Sequence, residues 1–471
     1  MATRRYYLET FGCQMNVLDS EIAAGQLRQL GWEPTDEREQ AELVLFNTCS
    51  VREKAEHKVW SRLGELARRK RRNPDLLVGV LGCMAQNHKE KLRRRAPHVD
   101  LILGPRQIGE LGAALERIER ERAPVVHADL TGPVDLRRDI AVRGARHTAY
   151  VTVMYGCDFR CTYCIVPSTR GREDSRPIAE IREEIERLCG DGVKEVTLLG
   201  QTVDGWGKRL PGRPHLGHLL EAVHDVDGLE RLRFVTSHPS LMREPILRAV
   251  ADLPKVCEYL HIPAQSGSDR ILKAMRRGYT AARYREICAM AREIVGPDVA
   301  IASDFIVGFP GESEQDFEAT LELVRSLRFS QAFIFKFSPR PHTPAWTLED
   351  DVPEAVKRER NQRLLAAQQQ VQTELHRALV GSRTEILVEG RSSHDPGKLT
   401  GRTRHNKIVI FEGEADRYEG QLVELEITDA SPLALYGRLP GRPPLHAGSR
   451  QSVRARPEPA RARPLPMARV R

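Results

Sequence analysis

Three cysteines in the stretch YGCDFRCTYCIVP, Cys157, Cys161 and Cys164, are spaced C-x3-C-x2-C. Three thiolates on one short loop can hold three irons of a cubane iron–sulfur cluster and leave the fourth iron without a protein ligand. An open iron can take a reactant, as an open position does on other catalytic metals. A zinc site usually brings four ligands, often as two C-x2-C pairs, whereas this loop brings three. Zinc, or plain structure, is the competing reading.

Three further cysteines share a different signal. Cys13 in TFGCQMN, Cys49 in FNTCSV and Cys83 in LGCMAQ each follow an apolar run that reads as a buried strand: Tyr6–Leu8, Leu43–Phe46 and Leu76–Leu81. Between the last two runs, Ala55, Val59, Leu63 and Leu66 fall at helical spacing. Alternating strand and helix over residues 4–120 predicts a small doubly wound parallel α/β domain. The carboxyl ends of its strands share one edge, so the three cysteines would converge there. Such a trio is either a second metal site or three buried small apolar residues. Cys189, Cys257 and Cys288 have no such placement and read as core.

Residues 121–142 are polar and irregular and read as a linker. Over residues 143–376 six candidate strands alternate with helical patterns: Ala149–Tyr155, Glu195–Leu199, Arg231–Thr236, Glu258–Ile262, Ala300–Val307 and Ala332–Phe337. This predicts a partial (βα)6 barrel, with the C-x3-C-x2-C loop after its first strand at the active end. Gly200, Gln201, Ser237, Gln265 and Asp304 stand at strand ends of that barrel. They are candidate cofactor or substrate contacts, with ordinary turn chemistry as the alternative. A charged helix, about Glu354–Val380, leads into RTEILVEG, NKIVIFEG and QLVELEITDA. These predict a small antiparallel β-barrel over residues 377–440, resembling oligonucleotide-binding folds. Residues 441–471 are rich in Arg, Pro and Ala and are expected to be a disordered tail.

The 471 residues are enough for two or three domains. The net charge is +8, but the tail's eight arginines against the single acid Glu458 supply +7 of it. The body is nearly neutral, so RNA contact has to rest on local patches. Three basic runs qualify: Arg68–Arg72, Lys89–Arg95 and Arg402–Lys407. The last, with Arg402, Arg404, Asn406 and Lys407, falls between strands of the small barrel, where binding loops lie in such folds. No apolar run at the start has the length of a signal peptide or a membrane span, so a reducing cytoplasm is expected.

With these pieces in order, the chain resembles the methylthiotransferase family of radical S-adenosylmethionine enzymes. The resemblance runs from about Arg4 to Leu439, and TFGCQMN, NTCSVREKAEHKVWSRLGEL and CTYCIVPSTRGRE are most like the bacterial members that act on tRNA. It implies two [4Fe-4S] clusters. One, on Cys157, Cys161 and Cys164, would bind S-adenosylmethionine and deliver one electron to it, yielding a 5′-deoxyadenosyl radical. The other, on Cys13, Cys49 and Cys83, would carry an exogenous sulfur that S-adenosylmethionine methylates. Tyr163 would lie near the adenine of the cofactor or pack beside the cluster. The C-terminal barrel would be a TRAM domain.

The implied reaction converts N6-(dimethylallyl)adenosine beside the anticodon to its 2-methylthio derivative, in tRNAs reading codons that begin with U. The implied partners are a tRNA anticodon loop, an external electron donor and a sulfur donor, with a monomeric protein and no membrane. A ribosomal protein aspartate or another N6-modified adenosine is the alternative target. A non-catalytic iron–sulfur RNA-binding redox sensor is the alternative of another class. Thr202 and Asp204 stand where the family usually has asparagines, His342 where a glycine is common, Phe159 and Arg160 where Asn and Phe are usual, and Arg404 where an acid is usual.

Overall fold

The computed structural model describes residues 4–50, 53–131, 134 and 138–441. The segment expected to be a disordered tail lies outside them, apart from Gly441.

The N-terminal unit is a six-stranded parallel sheet with strands β1 (Arg5–Phe11), β2 (Glu33–Pro34), β3 (Leu43–Thr48), β4 (Leu77–Leu81), β5 (Leu101–Leu103) and β6 (Val125–His127), in the order β2-β1-β3-β4-β5-β6. The runs read as strands pair as β1–β3 and β3–β4. β3 is buried at every position, because helices cover both faces. The helix Glu53–Arg72 turns Val59, Leu63 and Leu66 into the core beneath β3 and β4. Strand order reverses between β1 and β3, and ligands bind outside the strand ends at such a switch point. The sixth strand falls inside the expected linker: Val125–His127 pairs with β5. Three residues flanked by polar ones carry too little periodicity to mark a strand, and its neighbour alone makes it one.

The central unit has six parallel strands in sequential order. They are β7 (Thr148–Thr152), β10 (Glu195–Leu199), β11 (Arg231–Phe234), β12 (Tyr259–His261), β13 (Ala300–Val307) and β14 (Gln331–Lys336). A short antiparallel pair, β8 (Met154–Tyr155) with β9 (Asp174–Ser175), brackets the cysteine loop. The strands form two three-stranded sheets joined by the bridge Leu232–Val256, and β7 and β14 do not pair, which leaves an open partial barrel. Its core holds Val151, Leu198, Phe234, Leu260 and Phe305. Cys189, Cys257 and Cys288 are buried as core residues. Tyr155 and Leu199 instead join the N-terminal core, so the two units share one apolar boundary.

The C-terminal unit is a closed barrel of β15 (Arg383–Arg391), β16 (Leu399–Thr403), β17 (Ile408–Phe411), β18 (Leu422–Ala430) and β19 (Leu435–Arg438), reached through the helix Glu354–Arg377. Its strands pair antiparallel except β17 with β19, which is parallel and closes the barrel.

The turn from β16 to β17, which carries the four RNA-contact candidates, presses on the central unit. Arg231 donates to the Arg402 carbonyl at 2.6 Å, and Arg233 donates to the Thr403 and Arg404 carbonyls at 2.6 Å each. Arg404 donates to the Glu258 carboxylate at 2.7 and 2.9 Å and to the Val256 carbonyl at 2.6 Å. Arg402 pairs with Glu389 at 2.9 Å and reaches Asn406 Oδ1 at 3.2 Å. Lys407 reaches Ser330 Oγ at 3.5 Å, and burial lowers its pKa to about 8. Arg404, Lys407 and the turn's carbonyls thus meet the central unit, while Arg402 pairs within the barrel, and each buried carbonyl or carboxylate gains a partner.

Candidate active site

The loop carrying Cys157, Cys161 and Cys164 leaves β8 through Gly156, whose φ is +68° and whose Cβ, if present, would sit 2.1 Å from the Arg172 carbonyl oxygen. Only glycine fits there. Within the loop, Cys157 Sγ lies 3.1 Å from Thr202 Oγ1, and Arg277 Nη1 donates to Cys161 Sγ at 3.4 Å. Arg277 is itself fixed by the Pro263 carbonyl and the Tyr279 hydroxyl, each at 2.9 Å. Thr162 is anchored by Met275 and Ala274 carbonyls. Burial raises the Cys157 thiol pKa and, with Cys161 alongside, pushes Cys164 up to about 12. Desolvated thiols that resist ionising together are stabilised as thiolates by a cationic metal centre. The donor set therefore fits a three-ligand cluster.

The second trio does converge. Cys13 follows β1 and caps the helix Gln14–Gln29, Cys49 follows β3, and Cys83 opens the helix Cys83–Arg95. Two of the three thus sit at helix N-termini, whose dipoles favour thiolate. A hydrogen bond to Cys49 is the first cause holding the Cys13 thiol below its ordinary pKa, with the Arg170 charge adding to it. Burial raises the Cys83 thiol, and Arg170 opposes that rise. Under the trio runs a buried amide ladder: Asn16 Nδ2 donates to Asn47 Oδ1 at 3.1 Å, and Asn47 Nδ2 donates to the Asn16 carbonyl at 2.8 Å. A Cβ on Gly12 would lie 2.3 Å from Asn16 Oδ1 and 2.9 Å from Cys49 Cβ, so TFGC and NTC are packed as one piece. Among the described residues no three His, Cys, Asp or Glu side chains crowd closely enough for a single metal ion. A cubane takes each cysteine on a different iron and accepts a wider spread.

Between the units opens a cavity of about 1050 Å³. Its walls include Phe11, Lys54 and Lys58 from the N-terminal unit, Tyr163 and Cys164 from the cysteine loop, and Gln265, Asp304, Phe335 and Trp346 from the barrel side. Gln265 holds φ +72° and bridges β12 to β13 through Asp304 and Ile306. Asp304 Oδ1 lies 3.0 Å from His261 Nε2. Phe335 and Trp346 are exposed, Trp346 by 52%.

Of the cofactor-contact candidates, Tyr163, Gln265 and Asp304 thus face this cavity, whereas Gly200, Gln201 and Ser237 are absent from its walls. A Cβ on Gly200 would strike Met154, so it is a packing glycine. Gln201 Oε1 and Ser237 Oγ are buried without a hydrogen-bond partner, and Gln201 precedes the Thr202 that touches Cys157. Orphaned buried acceptors at strand ends fit a polar ligand. Asn16, Asn47, Arg170 and Arg277 were not singled out from sequence. The first three stand inside the quoted motifs, while Arg277 in MRRGY carries no local signal.

The other basic runs are partly consumed by structure. Arg69 donates to the carbonyls of Arg38, Glu39 and Ala41, and Lys70 pairs with Asp100 at 2.8 Å. Lys91 and Arg95 lie over the Trp60 ring.

Comparison with known proteins agrees with this geometry. Residues 5–104 match the uncharacterized protein family UPF0004, residues 151–324 the radical SAM superfamily, and residues 377–439 the TRAM domain. The tRNA-2-methylthio-N(6)-dimethylallyladenosine synthase of Carboxydothermus hydrogenoformans is 46% identical over 446 residues, covering 93% of this chain and 100% of that protein. The protein of the same name from Moorella thermoacetica is 45% identical over 93% of this chain and 99% of its own length. Among solved structures, the radical S-adenosylmethionine methyltransferase TsrM from Kitasatospora setae, with tryptophan substrate and a SAM analog bound, superposes with a TM-score of 0.54. It has 15% identity and covers 83% of this chain and 79% of that one, a likeness of fold. On its three matched domains, and on its full-length identity to these synthases, the chain belongs to the radical S-adenosylmethionine methylthiotransferase family.

Proposed function

We propose that this protein is a tRNA methylthiotransferase that converts N6-(dimethylallyl)adenosine, beside the anticodon, to its 2-methylthio derivative in tRNAs reading codons that begin with U. One observation carries the reading: the consecutive residues Arg170 and Gly171 meet both cysteine trios, at Cys83 and Cys157, and Cys164 lines the cavity between the units. Cys157, Cys161 and Cys164 hold the radical cluster, and Cys13, Cys49 and Cys83 hold the auxiliary one. The clusters and S-adenosylmethionine supply, when bound, one-electron chemistry on an unactivated C–H bond and a sulfur to place there.

The chain's own residues receive the substrate. Phe11, Phe335 and Trp346 offer apolar and stacking surface to a prenylated base, and Lys54 and Lys58 attract the phosphates around it. Exposed aromatics at a cavity mouth are costly without a partner, and an unstacked anticodon loop supplies one. Tyr163, Gln265 and Asp304 line the wall that the cofactor and the target base share. The division of labour follows: residues 4–120 carry sulfur, 143–376 make the radical, and 377–440 steady the RNA. An external electron donor and a sulfur donor complete the reaction, the protein acts as a monomer, and it works in the cytoplasm. No described helix is long and apolar enough to cross a membrane.

Mass spectrometry of tRNA nucleosides from cells with and without the gene tests this. The 2-methylthio nucleoside disappears and its unthiolated precursor accumulates on deletion. An unchanged pool overturns the reading.

A further inference from the structure

Arg277 is buried, with 5% of its surface exposed, and its side chain reaches the radical loop from outside it. Nη1 donates to Cys161 Sγ at 3.4 Å, Nε to the Tyr279 hydroxyl at 2.9 Å and Nη2 to the Pro263 carbonyl at 2.9 Å. The backbone around it is fixed as firmly. The helix Asp269–Ala274 ends in a turn with φ of +55° at Arg276 and +72° at Gly278, and Arg277 N donates to the Leu272 carbonyl at 3.0 Å. The same turn grips the loop, since the Ala274 and Met275 carbonyls accept from Thr162.

None of the three acceptors is a carboxylate. A guanidinium keeps its charge when buried, and a buried charge without a counter-charge is costly. The polar groups that its charge reaches do not supply one. Burial raises Asp204 to about 8 and Tyr279 to about 12, and burial with the Arg277 charge holds His238 neutral. At neutral pH all three are uncharged. What remains within reach is sulfur: Cys161, which Arg277 touches, and Cys164, whose thiolate its charge favours. The arginine at the other trio differs, because Asp19 pairs with Arg170 at 2.9 Å.

We propose that Arg277 is the counter-cation of the radical loop: it holds Cys161 as a thiolate ligand and stabilises the reduced, more anionic state of the centre on Cys157, Cys161 and Cys164. Arg277 is a positioning residue. Hydrogen bonds and charge beside cluster sulfurs set the reduction potential. The external donor supplies one electron, no covalent bond forms or breaks at Arg277, and the guanidinium keeps its protons in both states.

The inference rests on reading Cys157, Cys161 and Cys164 as cluster ligands, and the experiment separates the two. Full-length enzyme with Cys13, Cys49 and Cys83 replaced by Ala, reconstituted anaerobically, isolates the radical site. Its iron and acid-labile sulfide content tests the ligand reading, and absence of iron overturns that reading and this one together. With iron retained, a dithionite titration followed by electron paramagnetic resonance gives the midpoint potential with Arg277 intact, as Arg277→Lys and as Arg277→Met. Arg277→Met is expected to move the midpoint at least about 59 mV more negative, the one-electron equivalent of a tenfold loss of reduced-state stabilisation. Arg277→Lys keeps the charge and loses the fork, so its midpoint lies nearer the parent's than the Met variant's does. A Met variant within that tenfold equivalent of the parent overturns the counter-cation and leaves the ligand reading standing. Equal shifts in both variants also overturn it, since the fork's packing and not its charge would then be at work. If the Met variant loses its iron, Arg277→Lys decides. Iron retained, with a midpoint within the tenfold equivalent of the parent's, supports the counter-cation; a larger shift, or loss of iron here too, means that Arg277 serves structure only.

Discussion

At the scale of single residues, the six cysteines differ in what surrounds them. Cys164 is half-buried at the cavity wall, and desolvation with Cys161 alongside pushes its thiol up to about 12, so it stays protonated until a metal claims it. Cys164→Ala is therefore expected to leave about half the iron of the reconstituted enzyme and to abolish release of 5′-deoxyadenosine. Iron analysis and chromatography of the reaction mixture check both. Asp204, one of the departures from the family pattern, is 6% exposed, and burial raises its pKa to about 8, although both oxygens accept from His238 N at 2.9 Å. Its folded pKa exceeds the unfolded value of about 4, so the folded state keeps a proton that the unfolded state gives up. Its contribution to stability is greatest below pH ~4 and falls as pH rises to about 8, where the folded carboxyl also ionises. Asp204→Asn removes that dependence. Its melting temperature relative to the parent is expected to climb between those pH values and then level off, and a flat difference across the range contradicts this assignment.

At the scale of elements, the turn between β16 and β17 shows how a motif's role depends on what it meets. RTRHNK has the composition of a phosphate-binding loop, and nothing local distinguishes that role from docking. The deciding residues lie far away: Arg231 and Arg233 on β11, with Glu195 on β10. Arg233 is 3% exposed, pairs with the buried Glu195 at 2.8 Å and caps two carbonyls of the turn. Arg233→Ala strands that carboxylate and those carbonyls, an effect of about 3–5 kcal/mol. Urea unfolding followed by barrel-specific proteolysis should show the C-terminal unit released first, and a loss under about 1 kcal/mol would mean that the docking is carried elsewhere. The strand ends were more legible. Period and apolar runs placed β1, β3 and β4 before Cys13, Cys49 and Cys83, since a fully buried parallel strand is written as a continuous apolar run. β6, with three residues, was not legible, because pairing to β5 defines it.

At the scale of the whole molecule, charge is distributed unevenly. The body is close to neutral and the last thirty-one residues hold +7. Removing residues 441–471 is expected to weaken tRNA binding chiefly at low salt and to reduce the slope of log affinity against log salt by about 1 or more, with little change in turnover at saturating tRNA. Filter binding over a salt series measures it, and an unchanged slope denies the tail any part in RNA contact. The substrate cavity belongs to no unit alone. Phe11 comes from β1 and Lys58 from the helix after β3, Cys164 from the radical loop and Trp346 from beyond β14, so the site exists only when the units are docked.

The sequence by itself determined the chemistry. Which atoms can bind iron is a property of residue type, and the C-x3-C-x2-C spacing is short enough for one loop to satisfy without help from the fold. The order of apolar runs likewise committed three distant cysteines to one sheet edge, because parallel strands must expose their carboxyl ends together. Tertiary structure decided what joins those sites. That Arg170 leaves the radical loop to sit under Cys13 and Cys83, that Arg277 reaches Cys161 from 116 residues away, and that Arg404 meets Glu258 on the central unit are contacts between chain segments without local signatures. Such pairings are fixed by burial, where a charge must find a counter-charge, and that demand is set only once the units pack.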